Sequence, residues 1–408
     1  MKIEKFPQLK FSGFNDEWEE KELRKIVTEV KRKAAPNSKA PVMMISATQG
    51  FINQSEKYSI DNAGSSLKNY TLLKKGELSY NHGYSKTRNF GSCFTLELDE
   101  ARVPFVYHSF SLKNDDSSFF GKYLNSGLFD KELKKRVAST ARMDGLLNIS
   151  FDEYVSLIIK RPTIAEQQKI GSLLSHVDSL IQAKTKKLES LKAVKKSFLQ
   201  KCFPKAGEKV PEMRFAGFSG DWEEKKLGEI ADIIGGGTPD TNNEEYWNGD
   251  IDWYSPAEIE ENQIYADKSE RTITELGLQK SSAKILPANI TVLFTSRAGI
   301  GKTAILRKPA ATNQGFQSLV LKNETDTYFV YSMTDFIKDA AERIASGSTF
   351  AEISGKALAQ LTFLFPPKYE QQKIGQFFLK YDSLISALQK EIDKLTDIKK
   401  SLLQKMFI

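Results

Sequence analysis

The sequence predicts an α+β protein in which two mixed α/β domains form a tandem pseudo-two-fold repeat and are separated by two long antiparallel coiled-coil helices. Two observations carry this prediction. The chain repeats itself at a fixed offset of 204 residues, half of its 408, and each copy ends in a long apolar heptad pattern. A chain of this length that is 40% hydrophobic can also bury more than one core.

The repeat has two well-matched pieces around a divergent body. Residues 7–26 recur at 211–230 with ten of twenty positions identical, and residues 166–203 recur at 370–407 with twenty of thirty-eight identical. The bodies between them, 27–160 and 231–365, resemble each other only faintly. We therefore expect four segments: a first domain at 1–160 with its entry motif at 7–26, a central helix at 161–203, a second domain at 204–365 with its entry motif at 211–230, and a distal helix at 366–408.

Both bodies read as short strands joined by polar loops, with helices interspersed. The first contains LSYNHGYSKTRNFGSCFTLEL and then FVYHSFSLKND, and the second contains ITVLFTSRAGIGKTAIL and then TNQGFQSLVLKNE. Apolar runs broken by Gly, Asn and Ser are typical of strands and turns, and helical patches fall at 119–136 and 328–345. One scaffold with unlike side chains favours two recognition domains with two specificities.

The long segments at the end of each copy carry a predicted coiled-coil seam. Apolar residues alternate in steps of four and three, and Lys184 is the one interruption in the first copy. Such a stripe needs a partner, and antiparallel pairing follows if a two-fold axis relates the copies. The alternative is two long helices of a compact bundle, which the identical placement in both copies disfavours. The seam residues are Ile170, Leu174, Val177, Ile181, Leu188, Leu191, Ile374, Phe378, Tyr381, Ile385, Leu388, Ile392 and Leu395.

Charge and composition narrow the class of protein. Lys and Arg number 59 against 52 Asp and Glu, which gives a net charge of +7, and a basic balance favours a polyanionic partner. The chain has no apolar run of the roughly 18 residues that a membrane helix needs, so we expect a soluble, cytoplasmic protein without membrane contact. Cys93 and Cys202 are far apart and accompany only three histidines, which disfavours a disulfide framework or a zinc site.

Several motifs together resemble those of a known family. The chain has two P-x-[LM]-[KR]-F-x-G-F…W-E-E…L entry motifs, then GGGTP, DIDWYSP, SRAGIG and TNQG in the second body, and EQQKIG at the start of each long helix. Each motif alone is weakly specific, but the set spans nearly the whole chain and resembles type I restriction-modification specificity subunits.

That resemblance implies a function for the chain. Each body would be a target recognition domain that enters the major groove of double-stranded DNA at one half of a bipartite, asymmetric site. Two methyltransferase subunits and two endonuclease/translocase subunits would assemble on it, carrying the S-adenosylmethionine, ATP and Mg of the complex. The chain itself would bind no cofactor and would be no enzyme. Alternatives are a coiled-coil adaptor that joins two protein partners without DNA, and a stand-alone enzyme acting on DNA.

The sequence offers no catalytic residues and no metal ligands to support the stand-alone enzyme. SRAGIGKT at 296–303 has Ser296 where a phosphate-binding loop needs glycine, and GGGTP at 235–239 lacks dinucleotide-binding spacing, which favours a turn. No Asn-Pro-Pro-aromatic motif for methyl transfer is present. His82, His108 and His176 have no nucleophile near them in sequence and are expected to be structural or polar contacts.

Candidate DNA contacts are the polar residues of loops at predicted strand ends. Arg, Asn and Gln read base edges, whereas Lys, Ser and Thr contact phosphates; a structural role in the loop is equally open for each. The candidates are Tyr80, Asn81, His82, Ser85, Lys86 and Arg88 in the first domain and Thr238, Thr295, Ser296, Arg297, Lys302, Asn313 and Gln314 in the second. The aromatic residues of the entry motifs (Phe11, Phe14, Trp18, Phe215, Phe218 and Trp222) are expected to staple the entry segment onto its own body, with a docking surface for the methyltransferase as the alternative.

Overall fold

The computed structural model describes residues 6–35, 37–57, 64–85, 87–137, 147–261, 263–297, 299–345 and 351–408. The chain divides into two compact units, which are Met1–Thr185 together with Glu391–Ile408 (unit 1), and Lys186–Lys390 (unit 2). The sequence predicts four consecutive segments instead, because a heptad pattern marks each long helix as one element. In the structure each long helix contributes one part to each unit.

Unit 1 is a mixed α/β unit with a four-stranded antiparallel sheet of order β2-β9-β6-β7. Three further antiparallel pairs, β1–β10, β3–β4 and β5–β8, accompany it. Its elements are β1 (Glu19–Glu22), β2 (Val27–Glu29), β3 (Met43–Ser46), β4 (Gly50–Asn53), α1 (Gln54–Lys57), β5 (Thr71–Lys74), β6 (Leu78–Asn81), β7 (Ser92–Thr95), β8 (Glu100–Val103), β9 (His108–Leu112), α2 (Ser117–Tyr123), α3 (Asp130–Arg136), α4 (Phe151–Val155), β10 (Ile158–Arg161) and the first part of α5 (Ile164–Cys202).

Unit 2 has a five-stranded sheet of order β12-β19-β16-β17-β14 and a three-stranded sheet of order β15-β13-β18. The pairs β14–β17 and β13–β18 are parallel, and β11–β20 is antiparallel. Its elements are β11 (Glu223–Lys226), α6 (Leu227–Ile230), β12 (Ala231–Gly235), β13 (Trp247–Tyr254), β14 (Tyr265–Ala266), β15 (Arg271–Ile273), α7 (Glu275–Gln279), β16 (Thr291–Phe294), β17 (Thr303–Leu306), β18 (Ala310–Thr312), β19 (Gln317–Leu321), α8 (Thr327–Ser332), α9 (Thr334–Ile344), α10 (Gly355–Gln360), β20 (Thr362–Phe365) and the first part of α11 (Lys368–Met406).

The predicted mixed α+β class is confirmed. Four strands of each unit share one order, since β2-β9-β6-β7 corresponds to β12-β19-β16-β17. In each unit the first strand also pairs antiparallel with the strand that precedes the long helix, β1 with β10 in unit 1 and β11 with β20 in unit 2. Among the helices of the described residues, none combines the length and the apolar character needed to cross a membrane.

Each unit has its own aromatic core beneath the four common strands. The core of unit 1 contains Phe110, Phe119 and Tyr154, which are at most 1% exposed, and Leu174 of α5. The core of unit 2 contains Phe294, Phe329 and Phe365, also at most 1% exposed, and Phe378 of α11. Because α5 and α11 supply residues to these cores, the helices are anchored to the sheets rather than attached at their ends.

The repeated sequence EQQKIG connects each long helix to the core. In unit 1 the Gln167 Oε1 atom accepts a hydrogen bond from Asp116 N at 2.9 Å, and Gln167 Nε2 donates to Pro162 O at 2.9 Å. A Cβ atom on Gly171 would lie 2.2 Å from Ser118 Oγ, so α2 approaches α5 at a point where only glycine fits. Unit 2 repeats these contacts with Gln371 and Gly375.

Inside each unit, segments of α5 and α11 contact each other in opposite directions. In unit 1 the carboxylate of Asp178 forms an ion pair with Lys399 Nζ at 2.6 Å. Lys184, which interrupts the apolar seam, forms an ion pair between its Nζ and the carboxylate of Glu391, also at 2.6 Å. In unit 2 Lys195 Nζ forms an ion pair with Asp382 Oδ1 at 2.5 Å. All thirteen predicted seam residues are buried or half-buried, as a helix pair would require.

Candidate nucleic-acid interface

Three loops of unit 2 meet at one end of its five-stranded sheet. They are residues 236–241, residues 295–297 with 299–302, and residues 313–316, and we call them the loop edge of unit 2. Thr238 Oγ1 donates to Gln314 Oε1 at 2.5 Å, and Ser296 N donates to Gly315 O at 2.8 Å. The sequence candidate Thr238 is thus brought to the candidates Asn313 and Gln314, which follow it in the chain by more than seventy residues.

Two tryptophans fix the glycine-rich loop of this edge. Trp253 Nε1 donates to Gly237 O at 2.9 Å, and Trp247 Nε1 donates to Asp240 O at 3.1 Å. A Cβ atom on Gly236 would lie 2.1 Å from Asn313 O, so glycine is needed there for close backbone packing; Gly235 ends β12, and residues 236–240 follow it without regular structure. Sequence reasoning missed both tryptophans, although Trp253 lies in the DIDWYSP motif and its indole N–H needs an acceptor once it is buried.

Thr295 and Ser296, two of the candidate DNA contacts, are enclosed by the fold. Both are 0% exposed. Thr295 Oγ1 donates to Gly299 O at 2.6 Å and accepts from Lys302 N at 2.9 Å, so this hydroxyl builds the turn. Of the remaining candidates Arg297, Lys302, Thr238 and Asn313 are half-buried and Gln314 is exposed.

Tyr80 and His82, two of the candidate DNA contacts of unit 1, are also buried. Tyr80 lies in β6 and is 2% exposed, and this burial raises the pKa of its hydroxyl group. The hydroxyl donates a hydrogen bond to Phe90 O at 2.6 Å, and the ring stacks on that of Tyr154 with ring centroids 4.0 Å apart. His82 is 4% exposed, and its ring nitrogens lie 2.7 Å from Leu147 O and 2.8 Å from Val106 O. Both side chains hold loops in place and are shielded from a ligand.

Asn81, Ser85 and Arg88 shape the loop after β6. Asn81 Nδ2 donates to Ile45 O at 3.1 Å, and Ser85 Oγ accepts from Arg88 N at 3.0 Å. Arg88 is half-buried, and burial lowers its pKa. Asn81 and Ser85 are half-buried as well, and Lys86 lies outside the described residues.

The histidines and acidic residues form no metal site in the part of the chain that the structure describes. His108 stacks on His82 with ring centroids 4.8 Å apart, and burial lowers its pKa. Its Nε2 atom lies 2.9 Å from Ile149 O. These contacts give His108 a structural role, whereas His176 is exposed on α5.

The tryptophan of each entry motif packs into the aromatic core of its unit, and in unit 2 the motif also binds the start of α11. Trp18 is 7% exposed and packs edge-on against Phe119, with ring centroids 5.8 Å apart. Trp222 is 2% exposed and packs edge-on against Phe203, with ring centroids 6.0 Å apart. Arg214 forms a two-point ion pair with Glu370 at 2.8 and 2.7 Å. The four phenylalanines of the motifs, Phe11, Phe14, Phe215 and Phe218, are half-buried. These contacts support the stapling role more than a docking role.

Comparison with known proteins finds one family. Residues 219–397 match the model of the type I restriction modification DNA specificity domain. The type I restriction enzyme MjaIX specificity subunit of Methanocaldococcus jannaschii is 37% identical over 195 residues, which cover 46% of this chain and 44% of that protein. The putative type I restriction enzyme MjaX specificity subunit of the same organism is 23% identical over 98% of this chain and 95% of its own length.

A solved structure shares the fold over almost the entire chain. The crystal structure of the type I restriction-modification system S subunit from M. genitalium has a TM-score of 0.65 and 17% identity, covering 99% of both chains. The MjaIX match spans less than half of that relative's length. The chain is thus similar to type I restriction-modification specificity subunits in sequence, and it has their fold.

Proposed function

Starting from this similarity to type I restriction-modification specificity subunits, we propose that the chain is the DNA sequence-specificity subunit of such a complex. It binds a bipartite, asymmetric site in double-stranded DNA, and each of its two target recognition domains reads one half-site. It performs no chemistry itself and directs adenine methylation, and the restriction of unmethylated DNA, to that site. Its place of action is the cytoplasm, where the DNA is.

The observation that carries this proposal is that the two units share one order of four strands, whereas the sequences of the segments that follow corresponding strands differ. The order β2-β9-β6-β7 in unit 1 recurs as β12-β19-β16-β17 in unit 2. The segments at the end of β2 and β12 differ in sequence: residues 31–33 are Lys-Arg-Lys in unit 1, and at the same offset in unit 2 Gly235 ends β12 and is followed by Gly236 and Gly237. A common scaffold with different readers suits a site whose two halves differ.

The charge pattern suits DNA as the ligand. The net charge is +7, and Lys31 and Lys33 are exposed beside β2. Lysines at such positions contact phosphates and set the orientation of a protein on the duplex, whereas base contacts set its specificity. Affinity should therefore fall steeply as the salt concentration rises.

The long helices would provide the scaffold of the complex. We propose that α5 and α11 pair as an antiparallel coiled coil through the predicted seam, in a tandem pseudo-two-fold arrangement. The opposite-running contacts inside each unit, such as Asp178 to Lys399 and Lys195 to Asp382, support this. Two methyltransferase subunits and two endonuclease/translocase subunits would bind the repeated surfaces and carry S-adenosylmethionine, ATP and Mg.

The decisive experiment is sequencing-based detection of methylated adenine in DNA from cells that express this chain with the methyltransferase of its system. We expect a split motif with two unlike halves that disappears when this chain is removed. Unchanged methylation without the chain, with the methyltransferase shown to be active, would instead favour an adaptor that joins two proteins without DNA.

A further inference from the structure

Each unit has a four-residue turn at the same point of its sheet. The turns are residues 104–107 (Pro-Phe-Val-Tyr) in unit 1 and 313–316 (Asn-Gln-Gly-Phe) in unit 2, and each directly precedes the central strand, β9 or β19. Tyr107 N donates to Pro104 O at 3.1 Å, and Phe316 N donates to Asn313 O at 3.4 Å. The two turns are structurally equivalent, although their sequences share no residue.

The loop after the neighbouring strand holds each turn at the same carbonyl group. Val106 O lies 2.8 Å from Nε2 of His82, which follows β6. Gly315 O accepts a hydrogen bond at 2.8 Å from the backbone N of Ser296, which follows β16. The third residue of each turn is therefore fixed, in one unit by a buried side chain and in the other by the backbone.

The second residue of each turn is the exposed one. Phe105 is 57% exposed, and the other residues of its turn are buried or half-buried. Gln314 is exposed, and its three neighbours in the turn are likewise buried or half-buried. Each unit thus presents one side chain on a rigid support, and the two side chains differ in chemistry.

We propose that Gln314 and Phe105 are equivalent base-reading residues, one for each half-site, with Gln314 specifying an adenine and Phe105 contacting the methyl group of a thymine. This inference rests on the proposed function and adds to it the residues and the base class. A rigid turn with one exposed side chain loses little conformational freedom on binding.

The contacts of Gln314 suit adenine. A glutamine pairs with adenine by accepting from N6 and donating to N7. Thr238 Oγ1 donates to Gln314 Oε1 at 2.5 Å, which orients the amide and leaves a second lone pair on the same oxygen. Among the hydrogen bonds of the described residues, none involves Gln314 Nε2, so both N–H groups can face a base.

The position of Phe105 suits an apolar group on the DNA. An exposed phenylalanine at a turn contributes nothing to the core, and the methyl group of thymine is the apolar feature of the major groove that aromatic side chains contact. His82 and Val106 hold the backbone beside it. The buried His82, which cannot reach DNA, acts here as a positioning residue for Phe105.

The test is to sequence methylated adenine in cells that express variants of this chain with the methyltransferase of its system. Gln314→Ala should relax one adenine position in one half-site only, and Gln314→Glu should shift that position toward cytosine, since a carboxylate accepts from cytosine N4. Phe105→Ala should relax one thymine position in the other half-site. With the purified complex, Gln314→Ala should reduce discrimination at that base pair by about 5- to 150-fold.

Leu98→Ala and Ile290→Ala provide matched controls. Both residues are exposed, at 45% and 43%, and lie at the opposite ends of the sheet strands from the turns; these variants should keep the wild-type motif. A wild-type motif retained by Gln314→Ala and Phe105→Ala would overturn the inference while leaving the proposed function intact. Absence of any motif that depends on the wild-type chain would remove the proposed function and the inference together.

Discussion

Breaking the ion pair between Arg214 and Glu370 should strongly destabilise unit 2. The side chains are 12% and 1% exposed, and two hydrogen bonds of 2.8 and 2.7 Å join them. Arg214 also donates to Gly220 O at 2.6 Å, which closes the turn of the entry motif. In the Arg214→Ala variant the Glu370 carboxylate remains buried without its charge partner.

The expected magnitude follows from that uncompensated charge. Removing one partner of a buried ion pair costs about 3–5 kcal/mol. For a domain the size of unit 2, each kcal/mol lowers the melting temperature by roughly 2–4 °C. We therefore expect Arg214→Ala to lower the melting temperature of unit 2 by about 6–20 °C, measured by circular dichroism of the full chain, and hydrogen exchange should increase at residues 211–222.

The chain offers its own control at the equivalent position of the first copy. Lys10 is exposed, and its Nζ donates to Asn15 Oδ1 at 3.4 Å, so Lys10→Ala should change the free energy of unfolding by no more than about 0.5 kcal/mol. The double variant Arg214→Leu/Glu370→Leu should recover most of the lost stability, because it buries no charge. Equal effects of Arg214→Ala and Lys10→Ala, or no recovery in the double variant, would refute this reasoning.

Three further predictions follow from contacts of the described residues. Gly171→Ala and Gly375→Ala should each lower the melting temperature, because the added methyl group would lie 2.2 Å from Ser118 Oγ and 2.5 Å from Asp326 Oδ1; thermal unfolding measures this. Burial lowers the pKa of His108, so the unfolded state binds more protons and stability should fall as the pH drops below about 6.5; urea unfolding should show a smaller decrease for His108→Gln. Leu9 N donates to Lys405 O at 2.8 Å, so a circular permutant opened at 204–210, with residue 408 linked to residue 6, should keep the wild-type circular dichroism spectrum and melting temperature.

The sequence predicts the mixed class of the fold well, because its signals are local or periodic. Apolar runs and turn residues identify the strands, and the heptad steps identify the long helices. The helical patches at 119–136 and 328–345 each contain two helices, α2 with α3 and α8 with α9. The break between α2 and α3 contains Gly127, whose φ is +90°, a local turn signal that hydrophobic periodicity does not report.

The candidate site could be predicted only in part. Tyr80, His82, Thr295 and Ser296 look like loop residues because polar and small residues surround them, yet all four are at most 4% exposed. Strands β6 and β16 are covered on both faces, as their consecutive buried residues show, and the polar groups of His82, Thr295 and Ser296 at their ends are enclosed as well. Alternation of apolar and polar residues identifies a strand with one solvent-exposed face, so this sequence pattern does not reveal a strand that is buried on both faces.

The sequence does not indicate that Phe105 lies in a turn. It lies in an apolar stretch, FVYHSF, that reads as part of a strand, whereas the strand begins only at His108. Its equivalence to Gln314 appears only when both turns are placed before their central strands. The position of a residue in the shared arrangement of strands is therefore a better guide to the proposed base-reading residues of each unit than its residue type.

The interleaving of the two copies explains why some pieces of the repeat are alike and others are not. In unit 1 the entry motif of the first copy meets the end of α11, where Leu9 N donates to Lys405 O at 2.8 Å. In unit 2 the entry motif of the second copy meets the end of α5, where Met213 N donates to Lys201 O at 2.9 Å. Each compact unit therefore contains helix segments from both copies, and each entry motif has to fit the helix end of the other copy. Among the hydrogen bonds of the described residues, none joins the loop edge of unit 2 to α5 or α11, so the repeated helix ends set no hydrogen-bonding requirement on its sequence.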